Sequence, residues 1–188
     1  MKFKELNIKG VFEIQLNPKM DDRGFFMRAY DRDLFKKNGL PTDWPQESVA
    51  FTKNKGTIRG LHFLYPPYNE AKLITMIGGE GFWAFVDIRK NSPTLGKWGT
   101  VIMSAEKKNM LFLPKGIANG VCTLSDNCYV LYRMDISYND SAKSEFKWND
   151  SDLNIPWPIK KPKNLAPRDK AAQNFKEFLA KSGGGIMI

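Results

Sequence analysis

The chain has 188 residues, with 29 Lys and Arg against 20 Asp and Glu, two Cys and a single His. That length suits one domain spanning 1–188, and 42% apolar with 26% charged residues is ordinary globular usage, which excludes wholesale disorder. The net charge of +9 points to an anionic partner, while one His and two Cys cannot supply the ligands of a usual zinc or iron centre or a disulfide framework.

Residues 1–5 are charged and lack the apolar core of a signal peptide. No stretch approaches the roughly 18 apolar residues of a membrane helix, so no membrane partner is expected. Two cysteines six positions apart read as reduced thiols, which fits a cytoplasmic protein. Phe12, Ile14 and Leu16 alternate with Glu13 and Gln15, a strand pattern. Residues 31–39 read as a short helix, with Asp31 near its start and Gly39 as its stop. Ile58, Gly60, His62 and Leu64 alternate with Arg59, Leu61 and Phe63 in a second strand. Apolar runs at 72–77 and 82–88 flank Gly78, Gly79, Glu80 and Gly81, a hairpin signal. Further strands are predicted at 99–103, 110–113, 120–124 and 129–136. Residues 168–181 form a helix in which Ala171, Phe175, Phe178 and Leu179 make one apolar stripe, and 182–188 looks like a frayed end. Many short strands without intervening helices mean an antiparallel sandwich or barrel with peripheral helices.

Strand alternation places His62 on a face with Gly60, which leaves room for a ligand there, and turns Arg59 to the other face. A core histidine with both nitrogens bonded explains the same pattern. Tyr132 shares a face with Cys128, Val130 and Met134 and points inward, as a packed core residue or as a general acid. Arg59 and Lys72 interrupt or flank apolar strands and need an anion, whether a carboxylate or a phosphate. Arg23, in the loop 21–25, has Asp22 as a simple partner. The scattered lysines show no cluster with interleaved aromatics, so no nucleic-acid partner is expected.

The stretches Asp-Asp-Arg-Gly-Phe-Phe (21–26), Arg-Gly-Leu-His-Phe (59–63), Lys72-Leu73, Val-Asp-Ile-Arg-Lys-Asn-Ser-Pro-Thr-Leu-Gly-Lys-Trp (86–98), Leu-Pro-Lys-Gly-Ile-Ala-Asn-Gly (113–120), Tyr132, Tyr138, Trp-Asn-Asp-Ser-Asp-Leu-Asn-Ile-Pro-Trp-Pro (148–158) and Asp169 occur in one order. In this the chain resembles the nucleotide-sugar 3,5-epimerases, typified by dTDP-4-dehydrorhamnose 3,5-epimerase. The resemblance implies an all-β, cupin-type double-stranded β-helix (jelly roll) with short peripheral helices, including a C-terminal one. It also implies a homodimer, no metal and no other cofactor. The implied reaction is epimerisation at C3, C5 or both of a nucleotide-diphosphate 4-keto-6-deoxy sugar, hexose or heptose, in deoxysugar biosynthesis for surface polysaccharide. A 3,4-ketoisomerase and a catalytically silent nucleotide-sugar-binding jelly roll are the alternatives.

By the same resemblance His62 matches the base, Asp169 the carboxylate that orients it, and Tyr132 the acid on the opposite face. Arg59 and Lys72 match residues around the sugar, Arg23 a diphosphate contact, and Tyr138 an aromatic stacked on the nucleobase. Arg168, beside Asp169, joins the substrate-facing set. Several positions depart from the family pattern. Asn119 stands where a second histidine is usual, and Arg28 and Lys143 stand where glutamates are. Gln46 and Ser48 represent the usual Gln-x-Asn-x-Ser segment.

Overall fold

The computed structural model describes residues 1–188. Its first elements are β1 (Lys2–Glu5), β2 (Phe12–Gln15), the small hairpin of β3 (Lys19–Asp21) and β4 (Gly24–Phe26), and helix α1 (Arg32–Lys37). The central run follows as β5 (Gln46–Thr52), β6 (Ile58–Leu64), β7 (Lys72–Gly78), β8 (Glu80–Asp87), β9 (Trp98–Ser104), β10 (Asn109–Leu113), β11 (Ile117–Thr123) and β12 (Cys128–Met134). A short β13 (Lys143–Glu145) and helices α2 (Pro167–Lys170) and α3 (Phe175–Ser182) complete the chain.

The strands form a six-stranded sheet, β1-β2-β10-β7-β12-β5, facing a five-stranded sheet, β13-β6-β11-β8-β9. From β5 to β8 each strand lies in the sheet opposite its predecessor, and the alternation resumes from β9 to β13. That winding is the expected jelly roll. It also corrects the hairpin reading of 78–81, because β7 and β8 belong to different sheets. The glycines turn a tight corner: Gly79 has φ +75, and a Cβ there would lie 2.6 Å from the Ser125 hydroxyl and 2.7 Å from the Cys128 sulfur.

Ile74, Met76 and Val130 meet Trp83, Phe85, Met103 and Val121 between the sheets. The outer face of the five-stranded sheet is buried as well, under Phe146, Phe175 and Phe178. Burial on both faces explains why β8 and β11 read as nearly continuous apolar runs without clean alternation. A third cluster packs Phe35 of α1 against Ile14, Leu73 and Phe112.

Two expectations for the C-terminus need correction. The helix expected over 168–181 is two helices, because 171–174 leaves the helical path where Gln173 bridges to Phe146. Glu177 accepts from the Asn174 N–H at 3.0 Å and Asp150 accepts from the Phe175 N–H at 2.7 Å, which restarts the helix. Ala171 is consequently exposed and Ala172 is buried in its place. The tail is not frayed either: the amide and carbonyl of Ile186 bond to Ile88 and Lys90 at 2.9 and 2.7 Å, and its side chain is buried.

Asp87, at the end of β8, is fully buried. It accepts from the Arg89 guanidinium at 2.9 and 2.7 Å, from the Ser92 and Thr94 hydroxyls at 2.6 Å each, and from the Arg89 N–H at 3.0 Å. Burial pushes its carboxyl up, but these donors outweigh burial and hold it below the usual carboxylate range. Its stabilisation is therefore fully present above the unfolded value of about 4 and is lost as pH falls through the lower folded value. Asp87→Asn is expected to lower unfolding stability by about 3 kcal/mol, since it leaves a half-buried guanidinium short of its anion. Urea unfolding at neutral pH measures this, and a variant as stable as the parent contradicts it.

Candidate active site

β6 pairs with β11 so that His62 faces Asn119 and Arg59 faces Val121. Between those pairs β6 uses two residues, Gly60 and Leu61, against Gly120 alone, which is a β-bulge. The extra residue resets the alternation, and Arg59 and His62 line the same cavity. The expectation that Arg59 turns away from His62 is thus overturned. Gly60 also differs from its expected role. Its φ is +107, and a Cβ there would lie 2.6 Å from the Asn119 carbonyl and 2.7 Å from the Gly120 Cα. The space at Gly60 is taken by the β11 backbone, not left for a ligand.

The cavity has a volume of about 390 Å³ and is walled by both sheets. β5 contributes Gln46 and Ser48, β7 Lys72, β11 Asn119 and β12 Tyr132; Tyr138 and Arg168 come from loop and α2. Lys143 lines a smaller cavity alongside, which shares His62, Lys72, Tyr138 and Arg168. Asp169 lies behind His62. Two expected residues stay outside. Arg23 is exposed in the β3–β4 hairpin and pairs with Asp21 at 2.6 Å, not with Asp22. Arg28 is exposed and pairs with Asp31 at 3.3 Å.

Nε2 of His62 lies 2.7 Å from Oδ1 of Asp169, whose side chain is only 2% exposed. A carboxylate there accepts a hydrogen bond from Nε2–H, fixes the tautomer and leaves Nδ1 as the basic nitrogen. Asp169 is in the first turn of α2, so the short helix at 167–170 is what delivers the carboxylate to β6. The core-histidine reading fails on this geometry, since Nδ1 has no partner within the chain and the ring borders the cavity.

Tyr132 comes from the other sheet. Its ring packs edge-on against Trp83, with centroids 6.0 Å apart. Burial pushes its phenol up, against a smaller downward pull from the Arg59 charge, so the hydroxyl keeps its proton well into alkaline solution. It makes no hydrogen bond within the chain and is free to donate to a molecule in the cavity.

The Arg59 guanidinium is held by neutral acceptors, Thr52 Oγ1 at 2.8 Å and the Phe51 carbonyl at 3.0 Å, which leaves its charge for an anion. The Tyr138 N–H donates to Gln46 Oε1 at 2.6 Å and its hydroxyl to Asp140 at 3.0 Å, leaving the ring half-exposed at the rim. Lys143 donates to the same Asp140 carboxylate at 2.7 Å. Asn119 Nδ2 reaches the His62 carbonyl at 3.4 Å, so it steadies the strand that carries His62. Trp83, Met134 and Glu70 also line the cavity, and the sequence reading assigned none of them to the site. Glu70 had a signal: a carboxylate two residues from Lys72, on the same side of an extended chain.

The sequence profile of the family described as dTDP-4-dehydrorhamnose 3,5-epimerase matches residues 5–177. The chain belongs to that family. Dehydrorhamnose epimerases of this kind are isomerases acting on nucleotide sugars. The chain is 38% identical to the dTDP-4-dehydrorhamnose 3,5-epimerase of Shigella flexneri over 156 residues, 82% of this chain and 85% of the relative. It is similar to the solved Bacillus anthracis dTDP-4-dehydrorhamnose 3,5-epimerase with TDP and PPi bound, at TM-score 0.90 and 36% identity over 93% of this chain and 99% of the other. It is also similar to the Legionella pneumophila 3,5-epimerase in complex with dTDP-4-keto-L-rhamnose, at TM-score 0.92 and 29% identity over 100% and 98%.

Proposed function

We propose that the chain inverts C3 and C5 of a dTDP-linked 4-keto-6-deoxyhexose through an enolate, with His62 as base and Tyr132 as acid. The observation that carries this reading is the placement of the His62–Asp169 pair on one sheet and Tyr132 on the other, across one cavity. A carbon beside a ketone inverts when its proton leaves from one face and another arrives from the opposite face. His62 Nδ1 takes the proton, and the C–H electrons pass to the carbonyl oxygen as an enolate. The Lys72 ammonium faces that oxygen and opposes its developing charge. The Tyr132 hydroxyl then protonates the opposite face, and the imidazolium and phenolate return to their starting states through solvent.

Asp169 holds the imidazole in the useful tautomer and stabilises the imidazolium. Arg59 and Arg168 take the diphosphate, and Tyr138 offers its exposed ring to the base. Asn119 hydrogen-bonds and takes no proton at neutral pH. A single domain, assembled as a homodimer in the cytoplasm without a cofactor, belongs to the same proposal; both cysteines are buried and free, which suits a reducing compartment. No helix is long and apolar enough to cross a membrane.

Product analysis by NMR tests the reaction. Inverted C3 and C5 with the carbonyl still at C4 supports it; a carbonyl moved to C3 identifies a ketoisomerase, and binding without turnover a silent relative. Asp169→Asn keeps the shape but presents an amide that can force the wrong imidazole tautomer. It is expected to lower kcat by about a hundredfold with KM changed little, as loss of general-base orientation does. An undiminished kcat removes Asp169 from the mechanism.

A further inference from the structure

Glu70 lies two residues before the start of β7 and has a side chain only 8% exposed. Its Oε1 lies 3.1 Å from the Lys72 ammonium, itself largely buried at 15% exposure. Its Oε2 is buried and has no hydrogen-bond partner. Buried carboxylate oxygens are ordinarily satisfied, because the desolvation cost of an unbonded one is high. No protein donor reaches Oε2, yet Glu70 borders both the main cavity and the smaller one beside it, together with His62 and Tyr138.

We infer that Glu70 is a specificity-determining residue, with Oε2 accepting a hydrogen bond from a substrate hydroxyl on the carbon next to the carbonyl that Lys72 faces. This rests on the reading of Lys72 given above. Lys72 Nζ and Glu70 Oε2 form a donor beside an acceptor. An α-hydroxy ketone carries the complementary order, an acceptor carbonyl beside a donor hydroxyl. A 4-keto sugar with a free 3-hydroxyl has that pair, and a 3-deoxy sugar has lost half of it. Sites with a polar group dedicated to a substrate hydroxyl reject the analogue that lacks it, since the polar group is then left unpaired. Glu70 has a second effect: by pairing with Lys72 it fixes the ammonium at the cavity wall and keeps the buried cation compensated.

The test compares kcat/KM for C5 deuterium exchange on dTDP-4-keto-6-deoxyglucose and on its 3-deoxy analogue, a carbon both substrates share. The parent protein is expected to favour the hydroxylated sugar by about tenfold or more, the scale of one hydrogen bond to a charged group. In Glu70→Leu that preference is expected to collapse to within about threefold while dTDP affinity by calorimetry is unchanged. A parent protein that takes both sugars equally overturns the inference without any variant, as does a Glu70→Leu protein that keeps the parent ratio. Exchange with no preference leaves the epimerase reading standing and removes only the role of Glu70. No exchange with either sugar overturns both.

Discussion

Replacing His62 by asparagine is expected to abolish both solvent exchange and epimerisation, with a fall in kcat of about a thousandfold or more, the upper part of what general acid–base catalysis contributes. The chain has no other histidine, so no second imidazole can take over. Asparagine fills a similar volume and can still donate to Asp169, which keeps the buried carboxylate bonded and separates loss of chemistry from loss of fold. The neighbouring groups cannot substitute as bases: Asn119 does not accept a proton at neutral pH, and the Tyr132 phenol is pushed up by burial and stays protonated. Binding of dTDP by calorimetry is expected to survive, since its contacts are assigned to Arg59, Arg168 and Tyr138. A His62→Asn protein that still exchanges at the parent rate places the base elsewhere.

Tyr132→Phe is expected to split two events that the parent protein performs together. Inversion falls by about a hundredfold or more, because the acid on the second face is gone. Exchange persists, because His62 still removes the proton and, after trading it with solvent, returns a deuteron to the same face. The product is deuterated sugar of unchanged configuration. The ring keeps its place against Trp83, since the edge-to-face contact does not use the hydroxyl. The high phenol value also has a kinetic consequence: deprotonation of Tyr132 does not limit the parent rate below about pH 10, the unperturbed tyrosine value. If Tyr132→Phe blocks exchange as fully as His62→Asn, the division between base and acid is wrong.

The strands most visible in the sequence are those with apolar runs, and β7, β8, β10, β11 and β12 lie close to their expected places. β5 was invisible as a strand because it is an edge strand with Glu47, Ser48, Val49 and Phe51 exposed, so no burial pattern marks it. Its contribution to the cavity, through Gln46 and Ser48, emerged only from the family motif. The His62 strand shows the limit of period-two reasoning. One bulge residue moved Arg59 from the far face into the cavity, and nothing local in Arg-Gly-Leu-His announces it except the glycine, which reads as open space until β11 is set against it. Asp169 is likewise beyond any spacing rule, since it meets His62 across 107 positions through α2. Arg23 lies in a matched motif but sits on a separate two-stranded hairpin, while Arg28, which departs from the family pattern, lies between that hairpin and α1; each pairs with a neighbouring aspartate. The lone histidine, by contrast, stands out from the sequence alone, since an imidazole acting in this chain has to be His62.

The most direct measurement incubates the parent protein with dTDP-4-keto-6-deoxyglucose in deuterium oxide and follows C3 and C5 by NMR. The proposed mechanism predicts deuterium at both carbons, each inverted, with the carbonyl at C4. Inverted product that retains its original carbon-bound protons would contradict the enolate and, with it, the roles of His62 and Tyr132.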